Sequence, residues 1–274
     1  MLSIDDPKLF IKATDPKIVH SSASLKFMVL PIAAKMNAVV RTKEELFEDT
    51  IRASYRKNSF LCAVNAMQYA LSPLGKADAA IGHDPISPEH TSPDGYIFQA
   101  GRQIGRSAPL MFYIADRGRN GYEFGYGNPP PGAQSAIGGL GPIIINELPY
   151  GVGNKCPVSA NCPPSGAVSE EQKKVITQKN NLTYLDQQQR PKQTGKTIIA
   201  TSKASGKLLI IVQPNGVTGL SFDEIKGKLI RLGCDNAVFL DGSDSSMLFA
   251  NGFFHVRQGP NKDETNTVGI SFTL

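Results

Sequence analysis

Between Asn236 and Gly252 the chain reads NAVFLDGSDSSMLFANG, and the middle of that stretch holds side chains suited to chemistry. Ala237 to Leu240 is apolar and strand-like. Asp241, Gly242, Ser243, Asp244, Ser245 and Ser246 follow it with a dense run of carboxylates and hydroxyls. Asp, Ser and Gly close turns by bonding to nearby backbone, yet a tight connection works with fewer oxygens than this. Paired carboxylates at a strand end also suit acid and base roles, or the holding of a divalent cation. Asp241 and Asp244 are therefore the first candidate catalytic pair. Gly242 and the neighbouring hydroxyls would fix Asp241 at the strand end, and Gly242, Ser243, Ser245 and Ser246 are the candidate substrate-binding residues beside it.

Other chemistry-bearing residues read more plainly. His83 and His255 stand alone in loop-like contexts, as surface or internally satisfied residues do. Asp116, Arg117 and Arg119 in IADRGRNG read as a hairpin turn. Tyr122, Phe124 and Tyr126 alternate as on a strand face, with a sugar-stacking platform as the alternative.

Several elements must position the Asp241 stretch. KTIIATS and KLLIIVQ flank KASG, so Lys196 to Gln213 is expected to form an antiparallel hairpin. Ser221-Phe222-Asp223-Glu224 is a capping box that opens a helix over Phe222 to Leu232, with Gly233 as its stop. That helix leads directly into the strand ending at Asp241, which sets the carboxylate at a sheet edge. Upstream, Thr42-Lys43-Glu44-Glu45 also resembles a capping box, and Leu46, Phe47, Ile51 and Tyr55 recur at helical spacing. Residues 1–57 are accordingly read as an N-terminal helical extension. From Ser59 onward, short apolar runs separated by Gly, Pro, Asn and Asp describe a β-rich body. Residues 151–195 are polar and read as a surface insertion, of the kind that forms lids, binding loops or solvated excursions.

Composition narrows the function classes. The 274 residues carry 29 basic and 24 acidic side chains, a mild net charge of +5 with no basic run, so nucleic acid is not an expected partner. The apolar run Phe27 to Ala34 is too short to span a bilayer. No secretory signal pattern opens the sequence, which points to the cytoplasm, to a mature form already cleaved, or to signal-independent export. Cys62 and Cys234 lie in apolar surroundings as small hydrophobes. Cys156 and Cys162 are near enough in sequence for a small disulfide, and their spacing is not that of a zinc pair.

The order of TIIATSKASGKLLIIVQPNG, LSFDEIKGKLIRLGCDNAVFLDGSDSSMLFANG and TNTVGISF resembles the phosphodiester glycosidase family. Earlier landmarks are similar: AVNAMQY where the family has a strand ending in Asn-Gly-Gly-aromatic, SPDGYIFQAG, and AIGGLGPIIINE. The resemblance implies an α+β fold, a mixed β-sheet body with flanking helices, over residues 58–274. It implies a hydrolase cleaving a sugar-1-phosphodiester or related glycosidic bond; a familiar member removes N-acetylglucosamine from mannose 6-phosphate.

On this resemblance Asn65 matches the family strand and orients the substrate, and Glu147 ends a strand at the same cleft or is a surface carboxylate. Lys196 and Lys262 stand where the family has arginines and would offset phosphate charge, with Asn266 beside them. Ser243 and Asp244 replace two glycines of the family loop. Asp244 therefore either joins Asp241 as a second working carboxylate or marks a drifted site. The substrate is expected to be a small-molecule sugar phosphate or glycan, with no certain cofactor beyond the divalent-cation alternative. The rival readings are a non-catalytic carbohydrate- or nucleotide-binding protein on the same scaffold, and a toxin or effector delivered to another cell.

Overall fold

The computed structural model describes residues 2–22, 24–41, 45–66, 69–71, 91–93, 96–100, 102–105, 112–126, 131–138, 141–149, 192–260 and 262–274. The expectations for His83, for Cys156 and Cys162 and for most of the polar insertion fall outside these residues. In chain order come α1 (Leu9–Lys12), β1 (His20–Ser22), β2 (Leu25–Pro31), β3 (Lys35–Val40), α2 (Phe47–Asn58), β4 (Cys62–Asn65), β5 (Tyr69–Leu71) and β6 (Thr91–Pro93). The middle supplies β7 (Tyr96–Gln99), β8 (Arg102–Gly105), β9 (Phe112–Asp116), β10 (Tyr122–Tyr126), β11 (Ser135–Ile137), β12 (Gly141–Ile145) and β13 (Leu148–Pro149). The last part adds β14 (Lys196–Ser202), β15 (Lys207–Gln213), α3 (Phe222–Arg231), β16 (Asn236–Phe239), β17 (Leu248–Ala250), β18 (Phe253–Val256), α4 (Lys262–Thr265) and β19 (Val268–Thr273).

The protein is mostly β-sheet. A seven-stranded sheet runs β1-β2-β15-β14-β16-β12-β13, and two five-stranded sheets run β18-β17-β4-β19-β3 and β10-β9-β11-β7-β8. Alternate side chains of β2, β14 and β15 face opposite sides of the first sheet. Met28, Leu30, Ile199, Leu208 and Ile210 enter the central core, which also takes Val64 and Ile270 from the second sheet and Ile114 and Ile137 from the third. Phe27, Val29, Ile198, Leu209 and Ile211 face outward, against Leu9 and Phe10 of α1 and Phe222, Ile225 and Leu229 of α3. Phe47 and Ile51 of α2 cover the outer face of the second sheet at Val39, Ala63 and Phe249. Burial on both faces explains why KTIIATS and KLLIIVQ read as continuous apolar runs rather than alternating ones.

The Lys196–Gln213 hairpin forms in the expected register, Lys196 opposite Gln213 and Ser202 opposite Lys207. Helix α3 carries the expected capping box: the Glu224 N–H donates to Ser221 Oγ, and the Ser221 N–H donates to Glu224 Oε2. Gly233, at φ +72°, follows the helix in a left-handed conformation that glycine tolerates.

Three expectations change. The sheets are not mixed, because every strand pair among the described residues is antiparallel. Helix α3 carries the chain across β14, so β15 and β16 flank that strand without touching. Residues 1–57 are not a helical extension, since β2 pairs with β15 and β3 with β19. The run FMVLP covers one side of β15 and the alternating KMNAVV one side of β19, which would otherwise be unpaired. Finally, α2 begins at Phe47 with Leu46 as its N-cap and no side-chain cap bond, later than the Thr42 pattern suggests.

Candidate active site

Asp241 follows β16, which is buried throughout, and its backbone is held from two directions. The Leu240 N–H donates to the Thr197 carbonyl at 2.8 Å, and the Asp241 N–H donates to the Ala66 carbonyl at 2.8 Å. Asn65, at the end of β4 in the opposing sheet, donates from Nδ2 to the Asp241 carbonyl at 2.6 Å. Its Oδ1 accepts from Thr197 Oγ1 at 2.7 Å and from the Met247 N–H at 3.0 Å. The expected neighbourhood of Asn65 and Asp241 is thus observed, but the Asn65 amide is 1% exposed and engaged inside the protein. It fixes the loop rather than reaching for a ligand. Thr197 has the same function from β14, on the face opposite Lys196. Only strand parity signals it, since Thr197 lies two positions from inward-facing Ile199.

The loop itself is a short 3-10 turn over Ser243–Ser245. Ser243 adopts φ +57°, a left-handed conformation in which glycine would be unstrained. The Ser243 N–H donates to the Gly195 carbonyl at 2.8 Å. A Cβ on Gly195 would lie 2.1 Å from the Ser243 carbonyl oxygen and 2.7 Å from Ser246 Oγ, so the segment before β14 presses directly on the loop. On the other side, the Gly259 N–H donates to the Asp244 carbonyl at 2.6 Å. Ser245 and Ser246 are buried. Ser246 Oγ has no hydrogen-bond partner among the described residues.

The two carboxylates sit in unlike environments. Asp241 is partly accessible. Dense packing around its carboxyl pushes it above the ordinary carboxylate range; the Ser245 hydroxyl, the Lys262 ammonium and the Gly242 N–H pull it down, and Asp244 adds to the rise. Asp244 is half-exposed and pairs with Lys262, Oδ1 to Nζ 3.6 Å. Lys262, from α4, is therefore beside both aspartates. Asn266, after α4, is buried and donates from Nδ2 to Gln258 Oε1 at 2.5 Å, while Gln258 Nε2 donates to Asp263 Oδ1 at 3.2 Å. This chain of polar groups braces α4 and the loop before it.

Glu147 is not in this group. It occupies the tight turn between β12 and β13, where Asn146 and Glu147 have φ of +50° and +68°. That turn is bonded to the start of β16: the Glu147 N–H donates to the Asp235 carbonyl at 2.8 Å, and the Asn146 N–H donates to Asn236 Oδ1 at 2.9 Å. Because β12 runs antiparallel to β16, its far end meets the beginning of β16, roughly 15 Å along the strand from Asp241. Glu147 is an exposed surface carboxylate.

Lys196 also departs from expectation. It lies on the α3 side of β14, 1% exposed, with Nζ donating to the Thr194 carbonyl at 2.7 Å and the Lys192 carbonyl at 3.4 Å, and 5.6 Å from the centre of the Phe222 ring. Burial lowers its ammonium to about 8, against an upward pull from Glu224.

The remaining candidates are structural. Asp116 is buried and accepts from the Met36 N–H at 2.9 Å and the Gly118 N–H at 2.7 Å, tying the β9–β10 turn to β3. Tyr122 and Phe124 belong to the central core, and the Tyr122 hydroxyl donates to the Ala34 carbonyl, so they form no open platform. His255 is exposed on β18. The Cys62 and Cys234 thiols are buried and pushed up to about 12, as inert packing groups would be. Among the described residues no three His, Cys, Asp or Glu side chains gather as a metal site would require, and no helix is long and apolar enough to cross a membrane.

The family model for phosphodiester glycosidase matches residues 75–272, so the chain belongs to the phosphodiester glycosidase family. The match begins after β4, leaving Asn65 and the N-terminal strands outside it. Among solved structures, the catalytic domain of zebrafish N-acetylglucosamine-1-phosphodiester alpha-N-acetylglucosaminidase, auto-inhibited by its pro-peptide, is similar with a TM-score of 0.55 and 12% identity, over 93% of this chain and 86% of that one. A putative exported protein from Burkholderia pseudomallei gives 0.53 and 12%, over 91% and 74%. A hypothetical protein from Synechocystis gives 0.50 and 14%, over 93% and 61%. At such identities these likenesses concern the fold. A search of curated proteins finds no match.

Proposed function

We propose that the protein is a hydrolase that cleaves a sugar-1-phosphodiester or a related glycosidic bond at the Asp241 loop. The observation that carries this reading is the unequal pair at the end of β16: a carboxyl raised by its packed surroundings beside a half-exposed, lysine-paired one. Two acidic groups set apart by environment can divide acid and base work. Asp241 holds its proton more readily than a free carboxylate and gives it to the oxygen leaving the sugar. Asp244 accepts the proton of the attacking water. Lys262, adjacent to both, offsets the charge of a phosphate on the leaving group, while Asn65 and Thr197 hold the Asp241 backbone in place.

The test is hydrolysis of N-acetylglucosamine-1-phosphodiesters, UDP-N-acetylglucosamine, NAD and cell-wall fragments, with and without divalent ions. Release of the sugar by wild type, lost in Asp241→Asn, supports the proposal. Tight binding of one of these compounds with no turnover would favour a non-catalytic carbohydrate- or nucleotide-binding role. The replacement of two family glycines by Ser243 and Asp244 supports that second reading, because their side chains crowd a loop where backbone N–H groups would otherwise approach an anion.

A further inference from the structure

Lys196 is a buried cation with no carboxylate bonded to its Nζ among the described residues, and its role in the fold is not obvious from packing. A lysine at this position costs stability, since burial disfavours its charged form. Its ammonium and the Gln213 side chain converge on the same two acceptors: Gln213 Nε2 donates to the Lys192 carbonyl at 2.6 Å and to the Thr194 carbonyl at 2.9 Å. Between those acceptors and β14 lies Gly195, whose N–H donates to Asn215 Oδ1 at 3.0 Å and whose carbonyl accepts from Ser243. The close approach of Gly195 to Ser243 and Ser246 makes this contact unforgiving: a small shift of residues 194–195 moves the loop or opens it.

We infer that Lys196 is a positioning residue for the Asp241–Ser246 loop, acting through the backbone of Thr194 and Gly195 rather than by touching a substrate. Its functional meaning rests on that loop being the site proposed above. The charged groups around it are Glu224 of α3, which favours the ammonium, and Lys192, which pairs with Glu224 at 2.7 Å. β15 contributes the neutral Gln213. The neutral amine formed as pH rises through about 8 keeps two N–H donors for the Thr194 and Lys192 carbonyls, so the clamp holds in either protonation state.

Amide hydrogen exchange reads this directly in the full chain, as protection relative to the unfolded peptide at the same pH. At pH 7 the Ser243 amide is expected to lose at least about tenfold of its protection in Lys196→Met, while amides at the centre of β15 keep theirs. Lys196→Arg, which keeps N–H donors at this position, is expected to restore most of that protection. A Ser243 amide as protected in Lys196→Met as in wild type overturns the inference. So does a loss matched at Leu209 and Ile210, which would mean general unfolding. Because exchange needs no substrate, failure here is distinguishable from failure of the catalytic reading, which the hydrolysis screen alone decides.

Discussion

The side-chain amide of Asn65 and the backbone carbonyl of Asp241 are 2.6 Å apart, joined across the central core from two different sheets. This contact, repeated on the acceptor side by Thr197 and Met247, makes one buried amide the junction of four chain segments. A partly satisfied buried polar group costs more than the bond itself contributes. Asn65→Asp keeps the shape but sets an acceptor against the Asp241 carbonyl. It should lower stability by about 2–4 kcal/mol, measured by urea unfolding. A loss below about 0.5 kcal/mol would remove the junction role.

For Asp241→Asn the sign of the pH effect is fixed by the raised carboxyl. Ionisation is disfavoured in the fold relative to the unfolded chain, so the wild type is relatively stable below the ordinary value of 3.8 and loses that advantage as pH rises through the higher folded value. The Asn variant lacks this loss. Its stability relative to wild type should therefore increase from acid to neutral pH, while turnover falls by at least about a hundredfold. Parallel unfolding curves against pH would contradict the assignment.

Ser243 holds a left-handed backbone with a side chain attached. Glycine relieves a conformational penalty of about 1–2 kcal/mol and adds back about 0.5–1 kcal/mol of unfolded-chain entropy. Ser243→Gly is thus expected to raise the melting temperature by about 1–3 °C. A lower melting temperature would mean that the Ser243 side chain supplies a stabilising contact.

Asp244 and Lys262 form a half-exposed pair, whose contribution to stability is expected to be small, about 0–1 kcal/mol. Asp244→Gly should leave the fold intact and, on the proposed mechanism, abolish most sugar release. Unchanged or higher activity on a sugar phosphodiester would instead identify Asp244 as a tolerated occupant of a glycine position. Calorimetry alongside the assay separates a misfolded variant from an inactive one.

Elements whose signals are local were legible in the sequence. The capping box at Ser221, the KASG turn and the strand running into Asp241 each depend on a few adjacent residues, and all three form. The neighbourhood of Asn65 and Asp241 followed from the family resemblance. What could not be read locally was which end of a strand meets which. Glu147 ends an apolar run just as Asp241 does, but β12 is antiparallel to β16, so the two carboxylates belong to opposite ends of the sheet. Facing was likewise hidden for Lys196: a strand buried on both sides has no polar face to mark its orientation, and only its shared parity with Ile198 places it against α3. FMVLP and KMNAVV were missed as strands because their partners lie some 180 to 230 positions later in the chain.

The strand β19 lies between β3 and β4, pairing Val268 to Thr273 with Lys35 to Val40 on one side and Cys62 to Asn65 on the other. As the chain emerges during synthesis, β3 and β4 must therefore wait with open edges while more than 200 intervening positions appear. Native closure of that sheet is a late, long-range event, and slow folding is its expected mark. Because β4 ends at Asn65, the sheet that carries the clamp on Asp241 is complete only after β19 docks, so a nascent chain would hold that aspartate against an unfinished support.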